Sequence, residues 1–205
     1  MSEESKNGLL HYFGQAWLVI VLAVAFGIAL AGVESLTRPR ILQNRKDLIA
    51  RRLVEMFGQG TTTDAPEVVE ATIDGRSRKV ECYPAIREGE QIGWGILAEG
   101  KGYDTLLLLV GVDLPAKKII GYRVVKILET PGIGDRIEQP EFYGQFEDKD
   151  ARGPLEAVGP DTPAGGQKVN TISGATISSK GVIETVNKNL QAVREQLAKL
   201  AGEKQ

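Results

Sequence analysis

The chain begins with a long apolar segment. Residues 16–33 contain no charged side chain and are almost wholly apolar, and the uncharged stretch reaches back to Gly8. At ~1.5 Å per residue, about 20 helical residues cross a ~30 Å hydrocarbon core, so this pattern predicts one transmembrane helix. Tyr12, Phe13 and Trp17 lie near one end of the segment, and aromatic rings prefer the membrane interface.

A cleaved signal peptide is the alternative interpretation of this segment. The apolar run is long for a signal peptide, and it follows two acidic residues and a single lysine at positions 3–6. We therefore interpret the segment as a retained anchor. Small residues recur at every fourth position, at Ala23, Gly27 and Ala31, which suits close packing on another membrane helix.

Two further elements are predicted before the globular part. Residues 41–57 have a helical pattern, and residues 58–66 form a short polar linker rich in Thr and Gly. The apolar residues spaced to share one side of this helix are Leu42, Ile49, Leu53 and Met56. The expected domains are a tail and anchor at 1–36, an amphipathic helix and linker at 37–66, and a globular domain at 67–205.

The globular part shows a grouped series of strands followed by helices. The predicted strands cover residues 68–73, 79–83, 91–98, 103–112 and 118–128, the last as hairpin partner of the fourth. Helices are predicted at 141–147, weakly, and at 179–200, and a Pro/Gly-rich loop at 153–166. The last helix has an apolar face made by Ile183, Val186, Leu190, Val193, Leu197 and Leu200. The predicted fold class is α+β, with an antiparallel sheet packed by helices behind one transmembrane helix.

The composition of the chain excludes several kinds of binding and catalytic site. The 205 residues carry a formal net charge of −2, and no basic stripe or aromatic platform suggests nucleic acid. The single cysteine, Cys82, excludes an internal disulfide and a cysteine-ligated iron–sulfur cluster, and we expect it to be a small buried hydrophobe. The single histidine, His11, lies at the apolar segment, which excludes a Ser-His-Asp triad in the globular part. We therefore predict no catalytic residue and no metal site, and any redox chemistry needs an organic cofactor.

A cluster of small and hydroxyl-bearing residues precedes the last helix. Residues 170–181 read Asn-Thr-Ile-Ser-Gly-Ala-Thr-Ile-Ser-Ser-Lys-Gly. Ser178 or Ser179 is a good N-cap, which places Thr176 at or just before a helix N-terminus, where N–H groups and the helix dipole favour a phosphate. Gly174 allows a close backbone approach or a positive φ. From these residues alone, a phosphate site and a simple helix cap both stay open.

The stretch Ser173-Gly174-Ala175-Thr176 resembles the Ser/Thr-Gly-Ala-Thr motif of the FMN-binding domain family. That family includes the G subunit of the Rnf ion-translocating electron-transport complex and the C subunit of the sodium-pumping NADH:quinone reductase. In the family, the last threonine of the motif carries FMN through a phosphoester bond made by a flavin transferase. The matching position in this chain is Thr176.

A second stretch resembles the same family. Residues 129–135 read Glu-Thr-Pro-Gly-Ile-Gly-Asp, similar to the Glu-Thr-Pro-Gly-Leu-Gly-Asp loop that borders the flavin in that family. Its Pro-Gly pair is also a turn signal. A weaker likeness, Gly-Lys-Gly-Tyr at residues 100–103, fits a glycine turn between two strands at least as well. The resemblance covers about residues 68–193.

The resemblance implies a flavoprotein that relays electrons, rather than a stand-alone catalyst. Its cofactor would be FMN, attached covalently to Thr176, and its partners would be other membrane subunits and, during maturation, the flavin transferase. The implied cofactor-binding residues are Thr176, Ser173, Gly174, Ala175, Ser178, Ser179, Glu129, Thr130, Pro131, Gly132, Ile133 and Gly134. The chain's length and its second stretch resemble the Rnf G subunit more than the longer C subunit of the quinone reductase.

One position departs from the family pattern. The family usually has an aspartate six residues before the modified threonine, and this chain has Asn170, which keeps the hydrogen-bonding shape and loses the charge. Asn170 is a hint that the chain receives no flavin, and two alternatives to the Rnf G subunit stay open. The chain could be the C subunit of a sodium-pumping NADH:quinone reductase, or a membrane-anchored structural or regulatory module that receives no flavin.

Two arguments predict opposite orientations of the chain in the membrane. Basic residues crowd the C-terminal flank of the anchor, and the positive-inside rule would keep this flank in the cytoplasm. The resemblance implies the opposite arrangement: an inner-membrane protein with a cytoplasmic N-terminus and an extracytoplasmic flavin domain. Large domains translocate with little regard to charge, so we expect the arrangement that the resemblance implies. The basic residues concerned are Arg38, Arg40, Arg45, Lys46, Arg51 and Arg52.

Overall fold

A computed structural model describes residues 3–127, 132, 134–163 and 165–203. The chain divides into two compact units, Met1–Asp47 and Leu48–Gln205. This division differs from the boundaries expected at residues 36 and 66, which stay predictions. Each unit is described on its own below.

The described residues of the first unit belong to a single helix, α1, which covers Glu3–Phe57. From Ala16 onward this helix is long and apolar enough to cross a membrane, by length and composition, and the side chains of its apolar stretch are exposed. It continues without a break beyond residue 36 and includes Pro39, so the expected anchor and amphipathic helix are parts of one element. The side chains of His11, Tyr12 and Phe13 lie outside the described part of the chain.

The second unit is built on a five-stranded antiparallel sheet. The strands pair in chain order, which confirms the five predicted strands and the hairpin of the last two. They are β1 (Glu67–Ile73), β2 (Arg76–Arg87), β3 (Glu90–Lys101), β4 (Thr105–Asp113) and β5 (Ile119–Ile127). The first two turns are Asp74-Gly75 and Glu88-Gly89, with positive φ at all four residues. Such two-residue turns match the right-handed twist of the strands they join.

One face of the sheet is covered by the C-terminal helix α3, which covers Thr176–Glu203. The predicted apolar face of this helix is confirmed, because five of its six residues are buried and Leu200 packs against them partly buried. Opposite them, Trp94 and Ile96 of β3 are fully buried. The helix is thus fixed along its length by hydrophobic burial against the sheet.

The last turns of α1, which belong to the second unit, cover the other face. Ile49 and Leu53 are buried there with Phe57, as the apolar pattern predicts, whereas Leu42 in the first unit is exposed. A Cβ added at Gly95 of β3 would lie 2.6 Å from Leu53 Cδ2. A side chain at this position would force the Leu53 side chain to move, so glycine lets β3 and the end of α1 pack closely.

The segment between β5 and α3 differs most from the prediction. The weak helix at 141–147 is a single α-helical turn, α2 (Pro140–Tyr143), followed by a 3₁₀ turn, Gly144–Phe146. The Pro/Gly-rich loop at 153–166 contains a short strand, β6 (Glu156–Val158), which pairs in parallel with β7 (Lys168–Asn170). Three-residue strands give too little alternation to be recognised from sequence.

Cys82 is fully buried in the main core, as expected from the sequence. Burial raises the pKa of its thiol to about 12, and the carboxylate of Glu67 adds to the rise. The thiol is therefore neutral at physiological pH and packs as a small hydrophobic group.

Candidate cofactor-binding site

The structure brings together the two stretches that the sequence singles out. Arg136 Nη1 donates a hydrogen bond to the main-chain oxygen of Ser173 over 2.9 Å, across 37 residues of chain. Arg136 belongs to a 3₁₀ helix, Gly134–Glu138, which follows the first stretch and packs on α3. The 3₁₀ helix Gly134–Glu138 is therefore in direct contact with the turn before α3.

The Ser-Gly-Ala-Thr stretch begins with a tight turn. Ala175 N–H donates to the carbonyl oxygen of Ile172 over 3.0 Å, and Gly174 has φ +81° at the third position of the turn. A positive φ at this position is the mark of a type II turn and strongly favours glycine. A Cβ at Gly174 would meet no atom within 4 Å, so backbone conformation alone sets the requirement.

Helix α3 begins at Thr176, three residues before the start predicted from the sequence. The predicted N-cap at Ser178 or Ser179 is therefore wrong, because both residues lie inside the first turns of the helix. Ser179 is fully buried, and its Oγ donates to the Ala175 oxygen over 2.9 Å and accepts from Ile172 N–H over 3.0 Å. This hydroxyl links the turn to the helix by two hydrogen bonds. The spacing of hydrophobic residues does not reveal such a contact.

The Thr176 side chain is exposed to solvent at the start of α3. Ser173 and Ile177 are also exposed, whereas Ala175 and Ser178 are buried. The first N–H groups of any helix have no partner four residues back, and the dipole makes this end positive. An exposed hydroxyl at such an end suits a phosphate ester, because the negative charge of the ester is stabilised where the bond forms.

Part of the expected flavin-facing loop lies outside the described residues. The residues concerned are Glu129, Thr130, Pro131 and Ile133. Gly132 is described, with φ +78°, and its N–H donates to Asp135 Oδ2 over 2.9 Å. Gly134 is buried and begins the 3₁₀ helix. The aspartate thus closes the loop on itself, which explains its place after Gly-Ile-Gly.

Arg136 is a residue of this site that the sequence does not single out. The residue is partly buried, and its guanidinium reaches the turn of the other stretch. One Nη1 hydrogen bond leaves further N–H donors of its planar fork, a group suited to a phosphate. The sequence signal for Arg136 is a cationic residue directly after Gly-Ile-Gly-Asp. The direction in which its side chain points follows only from the fold.

Asn170 has a structural role that a carboxylate could not fill. Its Nδ2 donates to the main-chain oxygens of Gly159 and Thr162 over 2.7 Å each, with a longer bond of 3.3 Å to Pro160. All three neighbours are acceptors, so the nitrogen of the side-chain amide must face them. An ionised aspartate has no donor and would repel these oxygens. The departure from the family pattern is therefore matched by the shape of the loop around it.

The Gly-Lys-Gly-Tyr stretch forms the end of β3 and the turn to β4, which confirms the glycine turn expected there. A Cβ at Gly181 of α3 would lie 2.5 Å from Gly102 Cα, and one at Gly100 would overlap Thr185 Oγ1. These glycines let α3 rest directly on the hairpin, one turn beyond Thr176. They set the position of the helix end that carries the candidate site.

The fold is an α+β domain that follows a long apolar helix in the chain and has an exposed threonine at the start of its last helix. Residues 102–191 match the model of the FMN-binding domain family. This match agrees with the resemblance of the motifs and spans both stretches of the site.

Sequence relatives from several organisms are named as G subunits of translocating oxidoreductase complexes. The G subunit of an ion-translocating oxidoreductase complex from Methanosarcina acetivorans is 28% identical over 181 residues, which is 87% of this chain and 92% of the relative. The Pseudomonas aeruginosa protein of the same name is 29% identical over 194 residues, 88% of this chain and 89% of the relative. The G subunit of the proton-translocating ferredoxin:NAD(+) oxidoreductase complex of Clostridium ljungdahlii is 32% identical over 115 residues, 56% of this chain and 60% of the relative.

Solved structures support the fold. The C subunit of the Na(+)-translocating NADH-quinone reductase of Parabacteroides distasonis superposes with a TM-score of 0.55 and 21% identity, over 78% of this chain and 96% of that chain. NqrC of Shewanella oneidensis superposes with a TM-score of 0.52 and 22% identity, over 66% of this chain and 70% of that chain. The predicted α+β class is thereby confirmed.

Proposed function

We propose that this chain is a membrane-anchored flavoprotein subunit that relays electrons through FMN esterified to Thr176, within an ion-translocating ferredoxin:NAD oxidoreductase complex. The names of its sequence relatives support the complex, and the FMN-binding domain supports the cofactor. The observation that carries the proposal is the hydrogen bond from Arg136 to Ser173, because it links the 3₁₀ helix Gly134–Glu138 to the turn that precedes the exposed Thr176.

The described residues fit the phosphate end of FMN. Thr176 Oγ1 would hold the phosphate as an ester, and the positive end of α3 would stabilise the charge that remains on it. The exposed Ser173 hydroxyl and the guanidinium of Arg136 lie on the same surface as further donors. Ser179 holds the turn from inside and does not face the cofactor.

The protein positions the cofactor, provides positive charge for its phosphate and leaves the site accessible. FMN supplies the redox chemistry when it is bound. Exposure of Thr176 leaves its hydroxyl open to a flavin transferase, which must reach the side chain of a folded domain. Anchoring by α1 keeps the domain at a high effective concentration near its membrane partners.

The finer assignments follow from the same proposal. Relatives of 28–32% identity are named as G subunits, which favours that assignment over the C subunit of the NADH:quinone reductase. We place the chain in the cytoplasmic membrane with its N-terminus in the cytoplasm and the FMN-binding domain outside. An alkaline phosphatase fused to the C-terminus is then active, and a reporter that needs the cytoplasm is inactive there.

The function is tested in membranes that hold the whole complex. We expect Thr176→Ala to abolish electron transfer from reduced ferredoxin to NAD, while the amount of assembled complex stays unchanged on a native gel. Thr72→Ala, which alters an exposed threonine of β1, serves as the matched control and retains full activity. Full activity of assembled Thr176→Ala complexes would refute the relay. Loss of the complex itself would instead assign Thr176 a part in assembly.

A further inference from the structure

The exposed helix surface just beyond the apolar stretch of α1 carries a dense positive charge. Residues 37–46 contain four basic side chains and no acidic one, and all ten residues are exposed. We call this the basic segment. Its cations are Arg38, Arg40, Arg45 and Lys46. We propose that the basic segment binds the head groups of anionic phospholipids at the membrane surface.

Position along the helix supports this occupant. At ~1.5 Å per residue, Arg38 and Arg40 lie about 8 and 11 Å beyond Val33, the last residue of the uncharged stretch. The head-group layer on each side of a bilayer is about 5–8 Å thick, and both side chains are long enough to turn back into it. Lys46 lies about 20 Å beyond Val33, roughly one Debye length outside that layer.

The arrangement around the helix supports it as well. At ~100° per residue, Arg38, Arg45 and Lys46 fall within an arc of about 140° that also contains Ile41 and Leu42. Leu42 lies between the cations and Ile41 lies at the edge of the arc, and these two apolar side chains are 52% and 60% exposed. A surface of cations mixed with exposed apolar groups matches the boundary between head groups and acyl chains.

The positive charge of the basic segment favours anionic lipid over an uncharged surface as its binding partner. Glu34 pairs with Arg38 only at 3.9 Å between two exposed side chains, so this cation is not neutralised. The positive-inside rule disfavours translocation of such a segment, yet the flavin domain behind it must be translocated under the proposed orientation. Lipid phosphates attract these cations on either side of the membrane, so the inference holds for both orientations and does not rest on flavin attachment.

The test uses the full-length protein in detergent and native mass spectrometry with added phosphatidylglycerol. The variant replaces all four cations by glutamine, Arg38→Gln, Arg40→Gln, Arg45→Gln and Lys46→Gln. The control removes four exposed cations of the globular unit by Arg76→Gln, Lys79→Gln, Lys117→Gln and Lys168→Gln, and so has the same net charge. Phosphatidylcholine replaces phosphatidylglycerol in a parallel titration.

We expect the apparent affinity for phosphatidylglycerol to fall at least about tenfold in the variant and to stay unchanged in the control. Phosphatidylcholine should bind both proteins weakly and equally. An equal loss in the variant and the control would overturn the proposal, because binding would then follow net charge alone. Unchanged lipid binding, together with loss of a co-purifying membrane protein, would also overturn it and assign the segment to a protein partner.

Discussion

The guanidinium of Arg136 is bonded to the main-chain oxygen of Ser173 over 2.9 Å. This bond fixes the turn that precedes Thr176 and keeps a permanent positive charge against the Ser173 end of that turn. A charge that is always present suits a phosphate, whereas a lysine would provide a point charge without the planar fork. The site is therefore held by a contact between two segments rather than by the helix end alone.

The first prediction concerns Arg136. Arg136→Gln should lower the fraction of chains that carry flavin after co-expression with the transferase, because the turn loses its bond and the phosphate loses its cation. Arg136→Lys should give an intermediate fraction. The measurement is the ratio of flavin to protein absorbance. Arg78→Gln, which removes an exposed cation paired with Glu99 at 3.8 Å, is the control and should be fully loaded. Full loading of Arg136→Gln would contradict the proposed role.

The second prediction concerns Gly174, which has φ +81°. Gly174→Ala should destabilise the domain by about 1 kcal/mol, because a side chain at this φ is strained even though no atom obstructs it. Gly144→Ala is the matched control, since that glycine is also unobstructed but has φ −61°. Urea unfolding followed by circular dichroism measures both. Equal free energies of unfolding for the two variants would show that the turn differs from the type described.

The third prediction concerns the contact between α3 and the β3–β4 hairpin. Gly181→Ala places a methyl group 2.5 Å from Gly102 Cα, so the helix must shift at a cost of about 1–3 kcal/mol. Gly202→Ala in the same helix has no atom within 4 Å of the added carbon and should be neutral or slightly stabilising. Thermal unfolding of the two variants tests this difference. A Gly181→Ala protein as stable as the control would show that α3 does not rest on the hairpin.

The fourth prediction concerns Asn170. Asn170→Asp should destabilise the domain by about 1–3 kcal/mol, because the main-chain oxygens of Gly159 and Thr162 lose their donor and face a negative charge. Acidification should reduce the deficit, since a protonated carboxyl can donate one hydrogen bond. Unfolding at pH 4 and pH 7 provides the comparison. Greater stability of the aspartate variant at pH 7 would contradict the role given to the amide.

The fifth prediction follows from the pKa of Cys82, which burial raises from 9.0 to about 12. The unfolded thiol ionises at lower pH than the folded one, so the contribution of this group is complete below pH 9 and is lost between pH 9 and 12. The folded protein should not react with a thiol reagent at pH 8, and the urea-unfolded protein should react with one equivalent. Rapid reaction of the folded protein would show that the thiol is accessible.

Long, regular elements can be predicted from the sequence, and irregular ones cannot. The strands of the main sheet alternate or run apolar over many residues, and the face of α3 repeats along the helix, so hydrophobic burial decides both. The predicted start of α3 is three residues too late, because its first turn is closed from inside by Ser179 rather than by a capping side chain. The spacing of hydrophobic residues indicates which side chains are buried. It does not indicate which carbonyl oxygen a hydroxyl group binds.

The candidate site also contains residues that can be predicted from the sequence and residues that cannot. Thr176 and the two stretches are recognisable from their residues, and Gly174 has the positive φ that its chemistry allows. Arg136 is not, because its role depends on a bond between residues 37 positions apart. The meaning of Asn170 likewise becomes clear only with its three carbonyl partners in place.

The most direct test of the central claim is in-gel flavin fluorescence of the protein purified from its native membrane and then denatured. We predict a fluorescent band for the unaltered chain and for the Thr72→Ala control, and no fluorescence for Thr176→Ala at equal protein loading. Fluorescence that persists in Thr176→Ala would contradict attachment at this residue. A dark band for the unaltered chain, made with an active flavin transferase, would make the Ser-Gly-Ala-Thr stretch a structural turn without a cofactor.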